Sequence, residues 1–350
     1  MRIYDSSDVL AFATRAFSSV GLDFASAAIV ADSLVEANLR GVDTHGVNRL
    51  LKIYLRRVKL GIVNPTPAMR LVTERQAAAL LDADNAMGAV AGVRGIDEAL
   101  KRAANCGVGT VAVRNSNHFG AAAHYALRAA ENGCIGIAVT NAAPRLAPWG
   151  GADVLLGNNP VAYAIPTGDD RPMVLDISTS VVARGKIMLA ARQKRSIPTG
   201  WALDDSGAPT TDPDRALRGL ILPFGEHKGS GLSIVHEILT GVLAGGVIGA
   251  SLGSLYEDLD RPQGVSHFFV ALDPSAFVGA TAFQGAVQAL ARGITASSPA
   301  TGHERVYLPG EIEWETRSKR LKDGIPLPDD AVEDLQEVAQ ELGIQMPTQV

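Results

Sequence analysis

Apolar residues recur at helical spacing through the first sixty positions, gather into short alternating or continuous runs through the middle, and return to helical spacing at the end. Ser6 or Ser7 caps a first helix that Gly21 ends. Asp23 caps a second, whose apolar positions run through Leu34 and Ala37, and a third extends from about Val47 to Leu60, stopped by Gly61. Beyond Pro65 the pattern changes to MRLVTE (Met69–Glu74) and AAALLDAD (Ala77–Asp84), which read as strands, followed by a helix from Ala91 to Ala104. The middle then alternates. VGTVAV, IGIAVT, PVAYAIP and MVLDIS read as strands, with helices expected from about Gly120 to Glu131 and from Ser180 to Arg192, which gives the chain α/β character. The turn-rich stretch Ile197–Pro213 reads as an extended surface excursion, Gly229 to Ala244 as an apolar helix and SHFFVALDP (Ser266–Pro274) as a strand. A capped amphipathic helix, Asp329 to Leu342, is expected to pack back on the N-terminal helices. There is no internal repeat.

Composition narrows the class. At 350 residues the chain can bury a large interior, and with 47% hydrophobic and 20% charged residues it is globular and not disordered. A formal net charge of -5 supplies no basic field, so nucleic acid is not an expected partner. Cys106 and Cys134 lack metal or disulfide spacing, which fits a reducing cytoplasm. The start MRIYDSSDVL has no apolar segment behind a basic one, and the most apolar stretch, Leu232 to Ala250, is broken by His236, Glu237 and glycines. Neither a signal peptide nor a membrane span is expected.

Among motifs, GxGxxG is absent, so a dinucleotide would have to be held without the usual Rossmann loop. The nearest glycine cluster, Gly225–Gly231, is not a Walker loop, because Lys228 precedes Gly229. A glycine-rich turn with one lysine opening a helix can still face a phosphate, against the plainer reading of a helix-entry turn. His236-Glu237 starts an HExxH motif that Thr240 leaves incomplete, and His236 reads as a packed helix residue. His45 and Arg49, four apart, project from one face of the third helix, where a guanidinium and an imidazole can grip a small carboxylate; a surface pair is the plainer reading. His118 follows a strand, the place where an α/β protein sets its site residues, and can exchange a hydroxyl proton near neutral pH; the alternative is a loop histidine satisfied by backbone. His124 reads as an ordinary helix residue. Asn141, Asn158, Asn159 and Asp176 follow or precede strands and together suggest loops converging on one edge.

Taken jointly, RGVDTHG (Arg40–Gly46), NSNHFG (Asn115–Gly120), GNNP (Gly157–Pro160), LDISTS (Leu175–Ser180), GKI (Gly185–Ile187), PTGWALD (Pro198–Asp204), TTDP (Thr210–Pro213), HKGSGL (His227–Leu232) and PGE (Pro309–Glu311) resemble the malate/L-lactate dehydrogenase type 2 family, which includes ureidoglycolate, sulfolactate, diketogulonate and ketimine-reducing enzymes. The resemblance covers nearly the whole chain. It implies a non-Rossmann, mixed-sheet α/β cofactor domain over 66–312, and a helical domain built from 1–65 and completed by about 313–350. It further implies a homodimer with sites between subunits, and NAD or NADP as cofactor. By position, His118 matches the proton-transfer histidine, and His45 and Arg49 the pair holding the substrate carboxylate, with Thr44 beside them where the family usually has Ser. Thr140, Asn141, Asp176, Ile177, Ser178, Lys228, Pro309, Gly310 and Glu311 match segments lining the cofactor. Glu226 stands where a second Gly is common, and its charge leans toward NAD over the more negative NADP. The expected reaction is hydride transfer between NAD(P)H and a small 2-oxo or 2-hydroxy acid. A cyclic imine carboxylate is the alternative substrate, and a non-catalytic small-acid or nucleotide binding protein the alternative class.

Overall fold

The computed structural model describes residues 1–350. A short strand β1 (Arg2–Tyr4) leads into α1 (Ser6–Ser19), α2 (Phe24–Leu39) and, after a 3-10 turn at Asp43–His45, α3 (Val47–Lys59). Asp5 and Asp23 cap the first two helices through their carboxylates, so Asp5 stands where Ser6 or Ser7 was expected. α3 takes its cap from a neighbouring helix: Asn38 Oδ1 on α2 accepts the Val47 N–H at 2.8 Å.

The central sheet follows. β2 (Arg70–Glu74) and β3 (Ala78–Asp82) form a hairpin, α4 (Gly88–Cys106) crosses to β4 (Val108–Ser116), α5 (Ala123–Glu131) leads to β5 (Ile135–Thr140), and β6 (Val161–Ile165) and β7 (Met173–Ile177) complete that side. α6 (Arg184–Arg192) opens an excursion holding β8 (Ala202–Leu203), β9 (Pro209–Thr210), α7 (Pro213–Arg218) and β10 (Leu220–Ile221). α8 (His227–Glu237) then runs into a wider π-turn at Ile238–Val242 before β11 (Val265–Leu272). The chain closes with α9 (Ala280–Thr295), α10 (Glu311–Asp323), β12 (Ile325–Leu327) and α11 (Asp329–Leu342).

The seven-stranded sheet has the order β2-β3-β4-β11-β5-β6-β7. Only β3 and β4 pair in parallel, and every other neighbouring pair is antiparallel, so the sheet is mixed and unlike a doubly wound Rossmann sheet. β11 lies antiparallel between β4 and β5, and the C-terminal ends of β4, β5 and β7 therefore leave the same edge. Asn158 and Asn159, which precede β6, lie at that edge too.

Two cores support this arrangement. One gathers Val9, Phe12 and Phe17 of α1, Leu34 of α2 and Leu50 and Leu51 of α3 with Ile325, Leu327, Val332 and Leu335 from the C-terminal segment, so both chain ends share one apolar interior. The other packs Ile96 of α4 and Tyr125 of α5 on Val111, Ala138 and Phe269 of the sheet. The structure differs from the sequence expectation at several points. The helix expected from Gly120 begins at Ala123, because Gly120 adopts φ +81°. The helix expected from Ser180 begins at Arg184, since Ser180 bridges to Pro223 instead. The Ile197–Pro213 excursion contains a small three-stranded sheet, β10-β8-β9, packed on its own apolar cluster with Ile187 and Ile197. No element is expected from the sequence at 280–295, where α9 lies.

Leu335 is 1% exposed at the centre of the terminal core, and Leu335→Ala is expected to lower unfolding free energy by about 2–5 kcal/mol. Exposed Glu333→Ala on the same helix should stay within about 0.5 kcal/mol of wild type. Denaturant titration checks both, and equal effects would contradict the packing of α11 against the N-terminal helices.

Candidate active site

The loop after β4 is fixed residue by residue. The Asn117 amide donates to Asn85 Oδ1 (2.9 Å) and Ala86 O (2.9 Å), and His118 N–H donates to Gln263 Oε1 (3.0 Å). The Phe119 ring lies flat on His267, 4.5 Å between centroids. The His118 imidazole then meets Tyr54 of α3, whose Oη is 2.6 Å from Nδ1. His45 stacks beside it at 5.7 Å between ring centroids. Burial, with His45 and His267 as like-charged neighbours, brings His118 down to about 3, and burial alone brings His45 to about 4. Both rings are therefore neutral at pH 7, each with one nitrogen able to accept a proton.

His45 does not reach this position as part of α3. It ends the 3-10 turn, Gly46 follows in an extended conformation, and the helix starts at Val47, so the four-residue spacing to Arg49 does not place the two on one helical face. Its placement comes from the turn's anchors. Asn38 Nδ2 donates to Asp43 Oδ1 (2.7 Å), Arg320 of α10 pairs with the same carboxylate, and a Cβ on Gly46 would meet Asn38 Oδ1 at 2.2 Å. Exposed Thr44 holds His45 Nδ1 at 2.9 Å. Arg49 is exposed, forms no ion pair within the chain, and lies with its guanidinium 5.4 Å from the Tyr256 ring centroid.

Beside these rings a cavity of about 1340 Å³ opens between the N-terminal helices, α5, α10 and the end of β7. His45, Asp176, Ser178, Pro309 and Gly310 line it, together with Gly120 through His124 and Trp314. Asp176 accepts the Ala123 N–H at 2.8 Å, and its enclosure by the cavity walls, with Glu313 nearby, pushes its carboxyl up to about 6. Pro309 is pinned to the sheet, its carbonyl accepting Val174 N–H (3.0 Å). Gly310, at φ +84°, passes so close to Val174 that a Cβ would lie 2.9 Å from its carbonyl oxygen. α5 has no side-chain cap, and the amides of Ala121 and Ala122 have no partner within the chain. Donors of this kind suit a phosphate.

Other residues singled out from the sequence are used differently. Thr140 and Asn141 are buried and committed to protein: Asn141 accepts from Ser266 N–H (2.8 Å) and donates to Val247 O, while the Thr140 hydroxyl faces His267. Ile177 pairs within the sheet as part of β7. The Glu311 carboxylate caps the Leu308 N–H. Lys228 is exposed outside the cavity lining, on a turn where Glu226 takes φ +59° and ψ -117°, a backbone conformation that favours glycine. That turn is stitched to the strand end carrying Ser178, through Phe224 N–H to Thr179 O. His236 is buried with Nδ1 2.7 Å from Asn159 O, as its packed reading requires. His124 lines the cavity, 4.0 Å from Asp32. Sequence reasoning missed Tyr54, Gln263 and His267. The available signal was a polar tip on an otherwise apolar stripe, since a buried hydroxyl or imidazole has to find a partner.

Folded values of about 3 to 4 for His45, His118, His124 and His267 lie below the unfolded value of about 6.5. The stability associated with these neutral rings is complete above about 6.5 and is lost as pH falls through that value. Asp32 and Asp176, both pushed up to about 6, act in the opposite sense, losing stability as pH rises from the unfolded carboxylate value toward 6. Four rings against two carboxyls predict a urea midpoint that falls between pH 7 and pH 5. A midpoint that holds or rises would contradict the desolvation of the rings.

Comparison with known proteins agrees with this architecture. The family model described as malate/L-lactate dehydrogenase matches residues 4–336. The malate dehydrogenase of Pyrococcus horikoshii is 40% identical over 345 residues, covering 96% of this chain and 94% of that protein. The ureidoglycolate dehydrogenase (NAD(+)) of Escherichia coli O157:H7 is 36% identical over 310 residues, covering 89% of this chain and 88% of that one. Among solved structures, sulfolactate dehydrogenase from Methanocaldococcus jannaschii superposes with a TM-score of 0.93 at 38% identity, covering 98% of each chain. With a match of that extent in sequence and in fold, the chain belongs to the malate/L-lactate dehydrogenase family.

Proposed function

We propose that this chain is an NAD(P)-dependent oxidoreductase of small 2-hydroxy acids, and that His118 exchanges the hydroxyl proton. The observation that carries the reading is the placement of His118. It is a neutral imidazole held by Tyr54, stacked with His45, and set at the sheet edge beside a cavity of dinucleotide scale with unpartnered amides and a carboxylate at the end of β7. When bound, the nicotinamide supplies or accepts the hydride.

The chain's own residues do the rest. In oxidation, His118 takes the hydroxyl proton of the 2-hydroxy acid, and in reduction it returns it. Arg49, unpaired and exposed, grips the substrate carboxylate, and His45, steadied by Thr44, donates to a neighbouring oxygen. The Ala121 and Ala122 amides, Asp176, Ser178, Pro309 and Gly310 would hold the cofactor, with the exposed Lys228 available to a phosphate. Thr140 and Asn141 support these loops from behind. Exclusion of water around the two histidines strengthens each of these polar contacts.

A second copy completes the molecule. α9 has no buried residue yet presents Phe277, Val278, Leu290 and Ile294 around it, and the face of α8 and its π-turn leaves Leu232, Val235, Ile238, Val242 and Leu243 between 39 and 57% exposed. Apolar surface of this extent marks an interface. We assign it to a homodimer whose sites lie between subunits, with a helical domain of 1–65 and 313–350 and a cofactor domain of 66–312. Light scattering is expected to give twice 36.6 kDa, and a monomer at micromolar concentration would contradict the assignment.

The activity is tested by NADH and NADPH oxidation across a panel of 2-oxo acids and cyclic imine carboxylates. Turnover of a 2-oxo acid is expected, with kcat roughly 10²- to 10⁴-fold lower in His118→Ala, whereas Arg49→Ala raises KM for the acid. Because His118 sits near 3 in the free protein, kcat/KM for hydroxy-acid oxidation should hold its value as pH falls well below about 6.5, since the base stays unprotonated. A loss centred at or above 6.5 would contradict it. Turnover confined to imines would move the substrate class.

A further inference from the structure

His267 is fully buried near the start of β11, the strand that separates β4 from β5. Its Nε2 is 2.8 Å from Ser116 Oγ, at the end of β4, and its Nδ1 is 2.8 Å from Thr140 Oγ1, at the end of β5. The directions of these bonds follow from the neighbours. The Thr140 hydroxyl donates to the carbonyls of Asn141 (2.9 Å) and Ser266 (3.2 Å), so its oxygen accepts from Nδ1–H. The other acceptor for Ser116, Asn117 O, lies at 3.5 Å, so the Ser116 hydroxyl donates to Nε2. One neutral tautomer thus satisfies both hydroxyls, and burial, which holds His267 far below its ordinary titration range, keeps it in that state. Phe119, the residue after His118, stacks on the same ring with 3° between planes.

We propose that His267 is a positioning residue, a two-ended spacer that sets the separation between the loop carrying His118 and the loop leaving β5, and with it the geometry of proton and hydride transfer. It is fully buried and does not line the cavity, so it acts through the loops it holds. An apolar ring of similar size would fill the space but fix neither loop, because packing alone does not specify direction as two hydrogen bonds do. It would also strand the buried Ser116 hydroxyl. The inference rests on the proton-transfer role proposed for His118.

The test uses the full chain with His267→Phe, His267→Gln and Ser116→Ala. It reads kcat, KM for the 2-oxo acid, NADH affinity by fluorescence, and the kinetic isotope effect with 4-deuterated NADH. His267→Phe and Ser116→Ala are expected to lower kcat roughly 10- to 100-fold, the scale of a misplacement of about 1 Å. NADH affinity and KM should stay within about threefold, and the isotope effect should be at or above the wild-type value, since the hydride step is the one slowed. His267→Gln, which restores one donor and one acceptor, should recover most of the rate. A folded His267→Phe or Ser116→Ala with wild-type kcat, or one whose isotope effect collapses to unity, overturns the proposal. If His267→Phe does not fold, Ser116→Ala, which removes a single hydroxyl, decides. Full activity in His118→Ala would remove the underlying role and the inference together. An inactive His118→Ala beside unaltered His267→Phe and Ser116→Ala would remove the inference alone.

Discussion

The antiparallel insertion of β11 between β4 and β5 is the constraint on which the rest depends. Because β11 runs against both neighbours, the ends of β4 and β5 emerge together and face the start of β11, with His267 in register with Thr140. The loop that carries His118 and the loop at Thr140 are thus brought side by side by backbone pairing, before any side chain of the site is considered. β7, two strands beyond β5, delivers Asp176 and Ser178 to the same edge. A mixed sheet solves in this way the placement problem that a doubly wound sheet solves at its switch point.

The second layer is as important as the sheet. Tyr54 and His45, which frame the His118 ring, come from the helical region that shares its core with the C-terminal segment. Arg320 of α10 anchors the turn bearing His45 through Asp43. His118, proposed above as the proton-transfer group, therefore stands on the sheet while its surroundings stand on the helices, and the proposed chemistry depends on how sheet and helices meet there. Low dielectric at that junction keeps the imidazoles neutral, and a small anion entering there would meet groups that need little rearrangement.

Much of this was legible in the sequence where the signal is local. The terminal helix was expected at Asp329–Leu342 and lies there, the α/β character follows from the alternating runs while the mixed sheet was implied by the family resemblance, and the Asn and Asp residues at strand ends do converge on one edge. His118 and His45 were both singled out, and they stack. What was missed is non-local or masked. Arg49 and His45 looked like a helical pair because the 3-10 turn and Gly46 leave no signature in spacing. Thr140 and Asn141 belong to the right loop but face inward, a matter of packing that residue type does not reveal. Tyr54 and His267 were not singled out, because their partners lie 64 and 127 or more positions away. α9 carries a regular apolar stripe, Phe283, Val287, Leu290 and Ile294, that the reading of the sequence passed over, and within this chain that stripe faces no core.

The most direct test of the account is the destination of the hydride. NADH or NADPH deuterated at the transferable C4 position, incubated with the protein and an accepted 2-oxo acid, should yield a 2-hydroxy acid carrying one deuterium at C2, read by mass spectrometry and proton NMR. Product formed without deuterium at C2 from either C4 epimer, or cofactor oxidised with no hydroxy acid formed, would contradict the assignment of this site to direct hydride transfer.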